Sequence, residues 1–387
     1  MIGESETRSQ AAEGSVRPAH GVTLFLCGDV MTGRGIDQIL PHPSKPHLFE
    51  PYMRSAQGYV ELAEEAHGLI RKPVDYAYIW GDALAELKRA APQARIINLE
   101  TSVTAAEDAW PGKGINYRMH PANVLCLTTA SIDCCVLANN HVLDWGYAGL
   151  RETLAALRAA GIGTAGAGND EAEATAPGVI DLHGGARALV FAFSLESSGV
   201  PADWAARKER SGVSFLADLA PRTADAISER VVAGKRAGDV AIASVHWGGN
   251  WGYDIPGEHQ VFAHRLIDAG GVDLVHGHSS HHPLAIEAYR GKLILYGCGD
   301  FMNDYEGIRG HESFRPDLSL MYFPTIAPAS GELLSCALLP MKIRGFRLNR
   351  ASREDTAWLQ RLLSNEGVRF NTRAALGTDG ALHLQWD

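Results

Sequence analysis

Short apolar runs that end in glycine and switch at once to imidazole or carboxylate are the feature that most constrains this chain. Three such runs, SVHWGG, VHGHSSHH and LYGCGDF, lie between positions 243 and 304, and LFLCGDVMTGRG, RIINLE and CCVLANNHVLD precede them. Unbroken apolar runs predict buried strands, and open α/β sheets bind ligands at the carboxyl ends of their strands. The sequence therefore predicts six strand ends that converge on one polar site.

Length and composition indicate one large catalytic domain. The 387 residues are 46% hydrophobic and 21% charged, which is typical of a soluble globular protein. We expect the catalytic domain to span residues 21–325, with an insertion at about 41–92. The C-terminal strands and helix, residues 326–387, are expected to pack on the same domain. Residues 1–20 are polar and predict a disordered leader.

Charge and hydropathy argue against two classes of partner, nucleic acids and membranes. The formal net charge is −10 and no long Lys/Arg run occurs, so nucleic acid is not expected to bind. The first twenty residues lack the apolar core of a signal peptide, and no apolar stretch approaches the roughly 18 residues of a membrane span. We therefore expect a cytoplasmic protein without membrane association.

The six cysteines lack C-x-x-C spacing and predict reduced core thiols. The oligomeric state stays open.

The polar groups at the predicted strand ends are imidazoles and hard oxygen donors, with no thiolate among them. A single histidine of this kind more often has a structural role, but nearly all of these residues stand at strand ends. Such a set suits a hard or borderline divalent cation and can equally serve in acid–base catalysis. The candidates are Asp29, Glu100, Asn140, His141, Asp144, His246, His278, His281 and Asp300.

Six blocks in fixed order carry a resemblance to a known family. The blocks GDVMTGR, NLE, NNHVLDWG, HWG, GHSSH and YGCGDF together resemble the capsule-biosynthesis (poly-γ-glutamate, CapA-like) family of calcineurin-like metallophosphoesterases, over about residues 22–310. The resemblance implies an α/β fold, a four-layer α/β/β/α sandwich, here with a small C-terminal α+β addition. It also implies a metal site between the carboxyl ends of two sheets, with ligands at Asp29, Glu100, Asn140, His246 and His278.

The chain departs from the fully equipped two-metal phosphoesterase pattern at several ligand positions. That pattern opens with Asp-x-His, whereas Met31 follows Asp29 at this spacing, and it has Gly-Asp where Glu100 ends its block. The terminal Gly-His-x-His is replaced by the sequence of Gly277–His281, and Asp300 stands where capsule-type relatives usually have Asn. Fewer nitrogen ligands favour one oxygen-coordinated divalent cation, Ca²⁺ or Mg²⁺, with Mn²⁺ or Zn²⁺ as alternatives.

The remaining histidines and the extra carboxylate suggest His/Asp pairs, which resemble the lasso-peptide epimerase branch of this family. That resemblance implies a metal-dependent isomerase that inverts the Cα of a C-terminal residue, Trp, in a ribosomal precursor peptide. One acid/base group removes the Cα proton, and another reprotonates the opposite face of the enolate. The pairing stays open among Asp29, His141, Asp144, His246, His278, His281 and Asp300.

Four further residues are predicted to contact substrate. Arg118, or Lys113 in the same loop, suits an anionic group through charge-assisted hydrogen bonds, although solvated surface is the commoner fate of such residues. Trp247 and Trp251 are candidates to receive an aromatic side chain, although the core is the commoner fate of aromatics beside a sheet. Arg34 belongs to the first of the six blocks, GDVMTGR.

Two other functions fit the same residues. The first is a metal-dependent hydrolase of phosphoesters or peptide-like amides, in which the cation activates water. The second is a catalytically inert protein that binds a peptide or a poly-γ-glutamate-like ligand, with an affinity that chelation of metal would not change.

Overall fold

Two β-sheets packed face to face form the centre of the structure, a computed structural model that describes residues 21–387. The predicted leader at residues 1–20 lies outside the described residues. In chain order the strands are β1 (Val22–Val30), β2 (Ala94–Leu99), β3 (Ser102–Val103), β4 (Arg118–Met119), β5 (Cys134–Val136), β6 (Gly163–Ala165), β7 (Ala167–Gly168), β8 (Gly178–Asp181), β9 (Arg187–Ser194), β10 (Gly212–Val213), β11 (Val240–His246), β12 (Leu274–His278), β13 (Ile286–Tyr289), β14 (Lys292–Leu295), β15 (Asp300–Met302), β16 (Leu318–Ala327), β17 (Glu332–Ile343), β18 (Leu348–Arg350), β19 (Thr372–Leu376) and β20 (Leu382–Trp386).

Helices cover the outer faces of both sheets. In chain order they are α1 (Arg34–Ile39), α2 (Gln57–His67), α3 (Ala83–Ala90), α4 (Leu125–Thr129), α5 (Gly146–Ala159), α6 (Glu171–Thr175), α7 (Pro221–Gly234), α8 (Gly257–Asp268) and α9 (Arg353–Gly367). Within residues 21–387, no helix combines the length and the apolar character that crossing a bilayer requires. All six cysteines are buried and unpaired, as predicted.

The strand order brings the parallel strands of each sheet side by side. The first sheet runs β19-β20-β17-β16-β1-β2-β5-β6, with β15 also paired to β1 and β18 to β17. The second sheet runs β13-β14-β12-β11-β9-β8. Strands β1, β2, β5 and β6 are mutually parallel, as are β9, β11, β12 and β14. Their carboxyl ends therefore collect the polar residues that follow each apolar run.

Alternation along β1 shows the four layers. Leu24 and Leu26 share a buried cluster with residues of the second sheet such as Ile242. Phe25 and Cys27 point the other way, into a cluster with α1, α2 and α5. A third cluster joins the outer face of the second sheet to α7 and α8. Since successive strand residues face opposite sides, each central strand separates two cores, and the predicted α/β/β/α sandwich is confirmed.

The C-terminal residues extend the first sheet. Strand β16 pairs antiparallel with both β1 and β17, so the boundary expected at residue 325 falls inside a strand. Helix α9 covers the C-terminal strands and contributes Leu359 and Leu363 to the core that lies between the sheets. The insertion expected at about 41–92 contains α2 and α3, and Tyr59 and Val60 of α2 pack in the outer core of the first sheet.

A very close approach of two backbones fixes the end of β1. After β14 the chain leaves the second sheet and enters the first at β15, crossing directly over Gly28. The Asp29 amide donates to the Gly299 carbonyl over 3.0 Å. A Cβ at residue 28 would lie 1.6 Å from that carbonyl oxygen, so only glycine fits. The crossing sets Asp29 in register with Asp300.

We expect Gly28→Ala to lower the free energy of unfolding by about 3 kcal/mol or more, because a backbone clash has no rotamer that relieves it. Gly257→Ala is the matched control, since a Cβ there meets nothing within 4 Å. Urea unfolding of both variants measures the difference. A Gly28→Ala protein as stable as the control would contradict the close crossing.

Candidate active site

Asp29, at the carboxyl end of β1, is the centre of a buried carboxylate cluster. Asn98 of β2 donates from one amide nitrogen to Oδ1 of Asp29 at 2.8 Å and to Oε2 of Glu100 at 3.0 Å. Asp300 lies on the other side of Asp29, in register with it. Oδ2 of Asp29 is buried and has no hydrogen-bond partner. A buried carboxylate oxygen without a donor is costly unless a cation or a proton neutralises it.

The carboxylates raise one another's pKa. Burial, with the nearby Asp300 charge, raises the pKa of Asp29 to about 7. Burial and the Asp29 charge likewise hold the pKa of Glu100 well above its ordinary value. Like charges placed together in a desolvated site disfavour their own ionised forms. A bound divalent cation would supply the missing positive charge.

Two sets of potential metal ligands share Asp29. Asp29, His246 and His278 offer donor atoms within 4.8 Å of one another, and so do Asp29, His281 and Asp300. Glu100 lies 3.9 Å from Nδ1 of His246, and Oδ1 of Asn140 lies 3.2 Å from its Nε2. The structure thus brings the five predicted ligands together and adds a second set. This arrangement fits one divalent cation or two.

A chain of buried hydrogen bonds sets the tautomer of His278. Nε2 of His276 lies 2.8 Å from the Cys27 carbonyl, which can only accept, so Nε2 carries the proton. Burial lowers the pKa of His276 to about 4, so the ring is neutral and its Nδ1 accepts from the Ser244 hydroxyl at 3.0 Å. Ser244 Oγ then accepts from Nε2 of His278 at 2.9 Å. Nδ1 of His278 is left unprotonated, the form that binds a cation.

Two imidazole–carboxylate dyads flank Asp29. Nδ1 of His281 lies 2.8 Å from Asp300, and Nδ1 of His141 lies 2.7 Å from Asp144. The strand order β15-β1-β2-β5 places Asp300 on one side of Asp29 and the residues that follow β5, including His141, on the other. The carboxylates fix the imidazole tautomers, as acid–base catalysis requires.

The two dyads have opposite pKa shifts. Burial, with the Lys113 charge, lowers the pKa of His141 to about 4 against the opposing effect of Asp144. Burial would also lower the pKa of His281, but the Asp300 carboxylate, through its charge and its hydrogen bond, raises it above the ordinary value. Two groups whose environments separate their pKa values are typical of an acid and a base in one site.

Both dyads open into one cavity of about 420 Å³. Its wall includes two of the four predicted substrate residues, Arg34 and Trp251. It is lined by Arg34, Tyr52, Lys113, Ile115, Tyr117, Asn140, His141, Asn250, Trp251, His281, Tyr305, Ile308, His311 and Pro316. The volume falls within the range that small-molecule sites usually have.

The structure places the other two predicted substrate residues away from this cavity. Arg118 donates to the carbonyls of Ala106 and Lys45 and lies over the ring of Trp145. Trp247 is buried against α8, stacked on His259, and donates to the Tyr296 carbonyl. Neither side chain lines the cavity.

Several residues of the site were not singled out from the sequence. Asn98 joins two carboxylates, and Asn303 donates to Asp300 at 2.8 Å. His276 lies two residues before His278 on β12, and the two-residue period of a strand places both on one face. That spacing is the signal that could have identified His276. No comparable local signal marks Tyr117 or His311 as cavity residues.

Comparisons with known proteins agree on one family. A family model described as "Bacterial capsule synthesis protein PGA_cap" matches residues 23–305. A Mycobacterium tuberculosis protein named probable polyglutamine synthesis accessory protein is 52% identical over 94% of this chain and 96% of its own length. The PGA biosynthesis protein CapA of Bacillus subtilis is 25% identical over 76% of this chain and 66% of its own. The capsule biosynthesis protein CapA of Bacillus anthracis is 23% identical over 76% and 62%.

We expect Ser244→Ala to weaken Mn²⁺ binding by about 10- to 100-fold, because the proton on Nε2 of His278 loses its acceptor and the tautomer is no longer fixed. Ser244→Thr keeps the hydroxyl and should restore most of the affinity. Ser319→Ala is the control, since Ser319 is buried and its Oγ has no partner. Calorimetric titration measures affinity, and thermal unfolding in EDTA checks the fold. Equal Mn²⁺ affinity in Ser244→Ala and Ser319→Ala would refute this role.

Binding of Mn²⁺ should also strengthen as pH rises through 7. Without a cation, Asp29 with its pKa at about 7 is largely protonated at pH 6, and that proton must leave before the oxygen binds metal. Each displaced proton contributes up to about a tenfold gain in affinity per pH unit below the pKa. Calorimetry at pH 6, 7 and 8, in two buffers of different ionisation enthalpy, measures both affinity and proton release. A pH-independent affinity without proton release would contradict the pKa shift.

Proposed function

The chain belongs to the family described as bacterial capsule synthesis protein PGA_cap, and from this premise we propose that it is a metal-dependent hydrolase of an amide bond in a peptide-like chain. One observation carries the proposal: two imidazole–carboxylate dyads flank a buried carboxylate cluster beside a single cavity. The relatives' names refer to polyglutamine and PGA synthesis, which supports a chain of amide-linked residues as the substrate class.

The residues that would hold the cation are Asp29, Glu100, Asn140, His246 and His278. When bound, a divalent cation polarises a substrate carbonyl and lowers the pKa of water, the chemistry that amide hydrolysis needs. The support for this assignment is the unpartnered Oδ2 of Asp29 and the crowding of the carboxylates, together with the neutral imidazoles. Burial lowers the pKa of both His246 and His278, so both rings are neutral. Their Nδ1 atoms face each other at 2.7 Å, where a proton on His246 bridges them and a cation would replace it.

The dyads supply the proton transfers. His141 is neutral at pH 7, because burial lowers its pKa to about 4, so it has an unprotonated ring nitrogen that can accept a proton from the attacking water, as a weaker base than an ordinary imidazole. His281, whose pKa Asp300 raises, holds a proton more readily and can deliver it to the departing amine. Asp144 and Asp300 orient the two rings through Nδ1.

A second candidate function is inversion at Cα, as in the lasso-peptide epimerases that the sequence resembles. The observation that favours it is the position of the dyads on both sides of Asp29, because a two-base epimerisation needs proton donors and acceptors on opposite faces of one carbon. The precursor-peptide substrate with a C-terminal Trp, and the cytoplasmic location expected with it, stay predictions.

Incubation of the full chain with blocked peptides in D₂O, with Mn²⁺ or with EDTA, separates these functions. The panel contains oligo-γ-glutamate, oligoglutamine and a peptide that ends in Trp, and mass spectrometry with chiral amino-acid analysis reads the products. Cleavage that EDTA abolishes supports the hydrolase. Deuterium gain with a D-residue and no cleavage supports the epimerase instead. Peptide binding that EDTA does not change, without any turnover, would indicate a catalytically inert binding protein.

We expect His281→Gln to lower the turnover number by about 100-fold or more, since it removes a proton-transfer group. His264→Gln is the matched control, because His264 forms a similar pair with Glu287 at 2.9 Å on α8 and β13, outside the cavity. The control should retain activity within about twofold. Equal rates in the two variants would exclude His281 from catalysis.

A further inference from the structure

Three large apolar side chains stand exposed around the mouth of the catalytic cavity. Tyr52, Ile115 and Ile308 are 67%, 40% and 41% exposed and all line it. They come from three separate segments, which precede α2, join β3 to β4 and follow β15. We refer to these three residues as the apolar rim. Exposed apolar side chains that converge on one concave site mark a contact surface, whereas single scattered ones do not.

An aromatic plate continues the apolar rim into the cavity. The rings of Trp251 and His311 stack at 3.9 Å between centroids and 3° between planes. Phe314 packs against Trp251, with 5.4 Å between the ring centroids. Trp251 also lies 5.2 Å from the ring of His281, which connects the plate to one catalytic dyad. A flat aromatic surface of this kind favours apolar and aromatic ligand groups.

The cationic side chains of the cavity wall are already paired within the protein. Arg34 donates to both carboxylate oxygens of Asp304, at 3.1 and 2.5 Å, and also to Glu50 and to the Tyr59 hydroxyl. Lys113 pairs with Asp144 and contacts Nδ1 of His141 at 3.1 Å.

Among the residues that the structure describes, no other arginine or lysine lines this cavity. A glutamate side chain at the mouth would lose its water without gaining an unpaired arginine or lysine, which is unfavourable.

We propose that the mouth of the catalytic cavity binds an apolar or aromatic side chain of the peptide substrate, between the apolar rim and the Trp251–His311 plate. The inference rests on the proposed function in one respect, that this cavity receives a peptide-like chain. It excludes a purely acidic polymer from the substrate class, because every residue of such a polymer would place a carboxylate at the apolar mouth. The apolar rim and the Trp251–His311 plate select the substrate side chain, whereas the dyads and the carboxylate cluster perform the chemistry.

Binding of blocked pentapeptides Ala-Ala-Xaa-Ala-Ala, with Xaa as Trp, Leu, Gln or Glu, tests the proposal without requiring turnover. We expect the Trp and Leu peptides to bind the Mn²⁺-loaded full chain at least about tenfold more tightly than the Glu peptide, because only they bury apolar surface at the rim. Equal or tighter binding of the Glu peptide overturns the proposal, and so does undetectable binding of all four.

Rim variants locate the contact. Tyr52→Ser and Ile308→Ser should each weaken Trp-peptide binding by about three- to tenfold. The controls are Leu69→Ser and Val368→Ser, at positions 79% and 71% exposed and outside this cavity, which should bind as the unaltered protein does. Rim variants that bind like these controls overturn the proposal.

The two proposals fail separately. A protein that binds the Trp peptide through the apolar rim, yet cleaves no peptide, keeps this inference and refutes the hydrolase. A protein that cleaves peptides with no preference among the four, and without effect of the rim variants, keeps the hydrolase and refutes this inference.

Discussion

The crowding of three buried carboxylates at the end of β1 is the constraint on which the rest of the site depends. Asp300 meets Asp29 there because the chain crosses β1 at Gly28, where a Cβ would lie 1.6 Å from the Gly299 carbonyl oxygen, and Glu100 joins them from the end of the neighbouring strand β2. Desolvated like charges destabilise one another, so the fold carries an electrostatic cost at this point. A divalent cation would offset that cost, so the suitability of the site for a cation follows from the crossing of the chain between the two sheets.

The sequence predicted the buried strands and the convergence of polar groups because that information is local, whereas the four layers were implied by the family resemblance. An unbroken apolar run that ends in Gly and then Asp, Asn or His predicts both a strand buried on two faces and the chemistry at its end. His246 and His278 pair across β11 and β12 in register, and Asp29 and Asp300 across β1 and β15. The sequence does not specify either register. Because neighbouring parallel strands end at the same edge of a sheet, however, the strand assignments already predict that these residues meet.

Other features depended on tertiary contacts that local patterns do not encode. Strand β16 contains Pro324 and is followed by a second proline, Pro328, which is typical of a strand edge or a break, yet it pairs on both sides. Arg118 fills its donors with backbone carbonyls from distant loops. Trp247 is a different case. It directly follows His246 on β11, and neighbouring residues of a strand face opposite sides, so its position against α8 could have been deduced.

The same burial contributes to the opposite pKa shifts of the two imidazoles that we propose as acid and base. Desolvation acts on every imidazole of the site and lowers its pKa, and only a strong neighbouring negative charge reverses the shift. His281 has Asp300 with Asp29 behind it, whereas His141 shares Asp144 with the ammonium group of Lys113. The carboxylate that would otherwise raise the pKa of His141 is thus partly neutralised by Lys113. Pairing Lys113 in this way also neutralises its charge at the cavity wall. One ion pair thus both separates the pKa values of the two imidazoles and leaves the proposed substrate surface without an unpaired lysine.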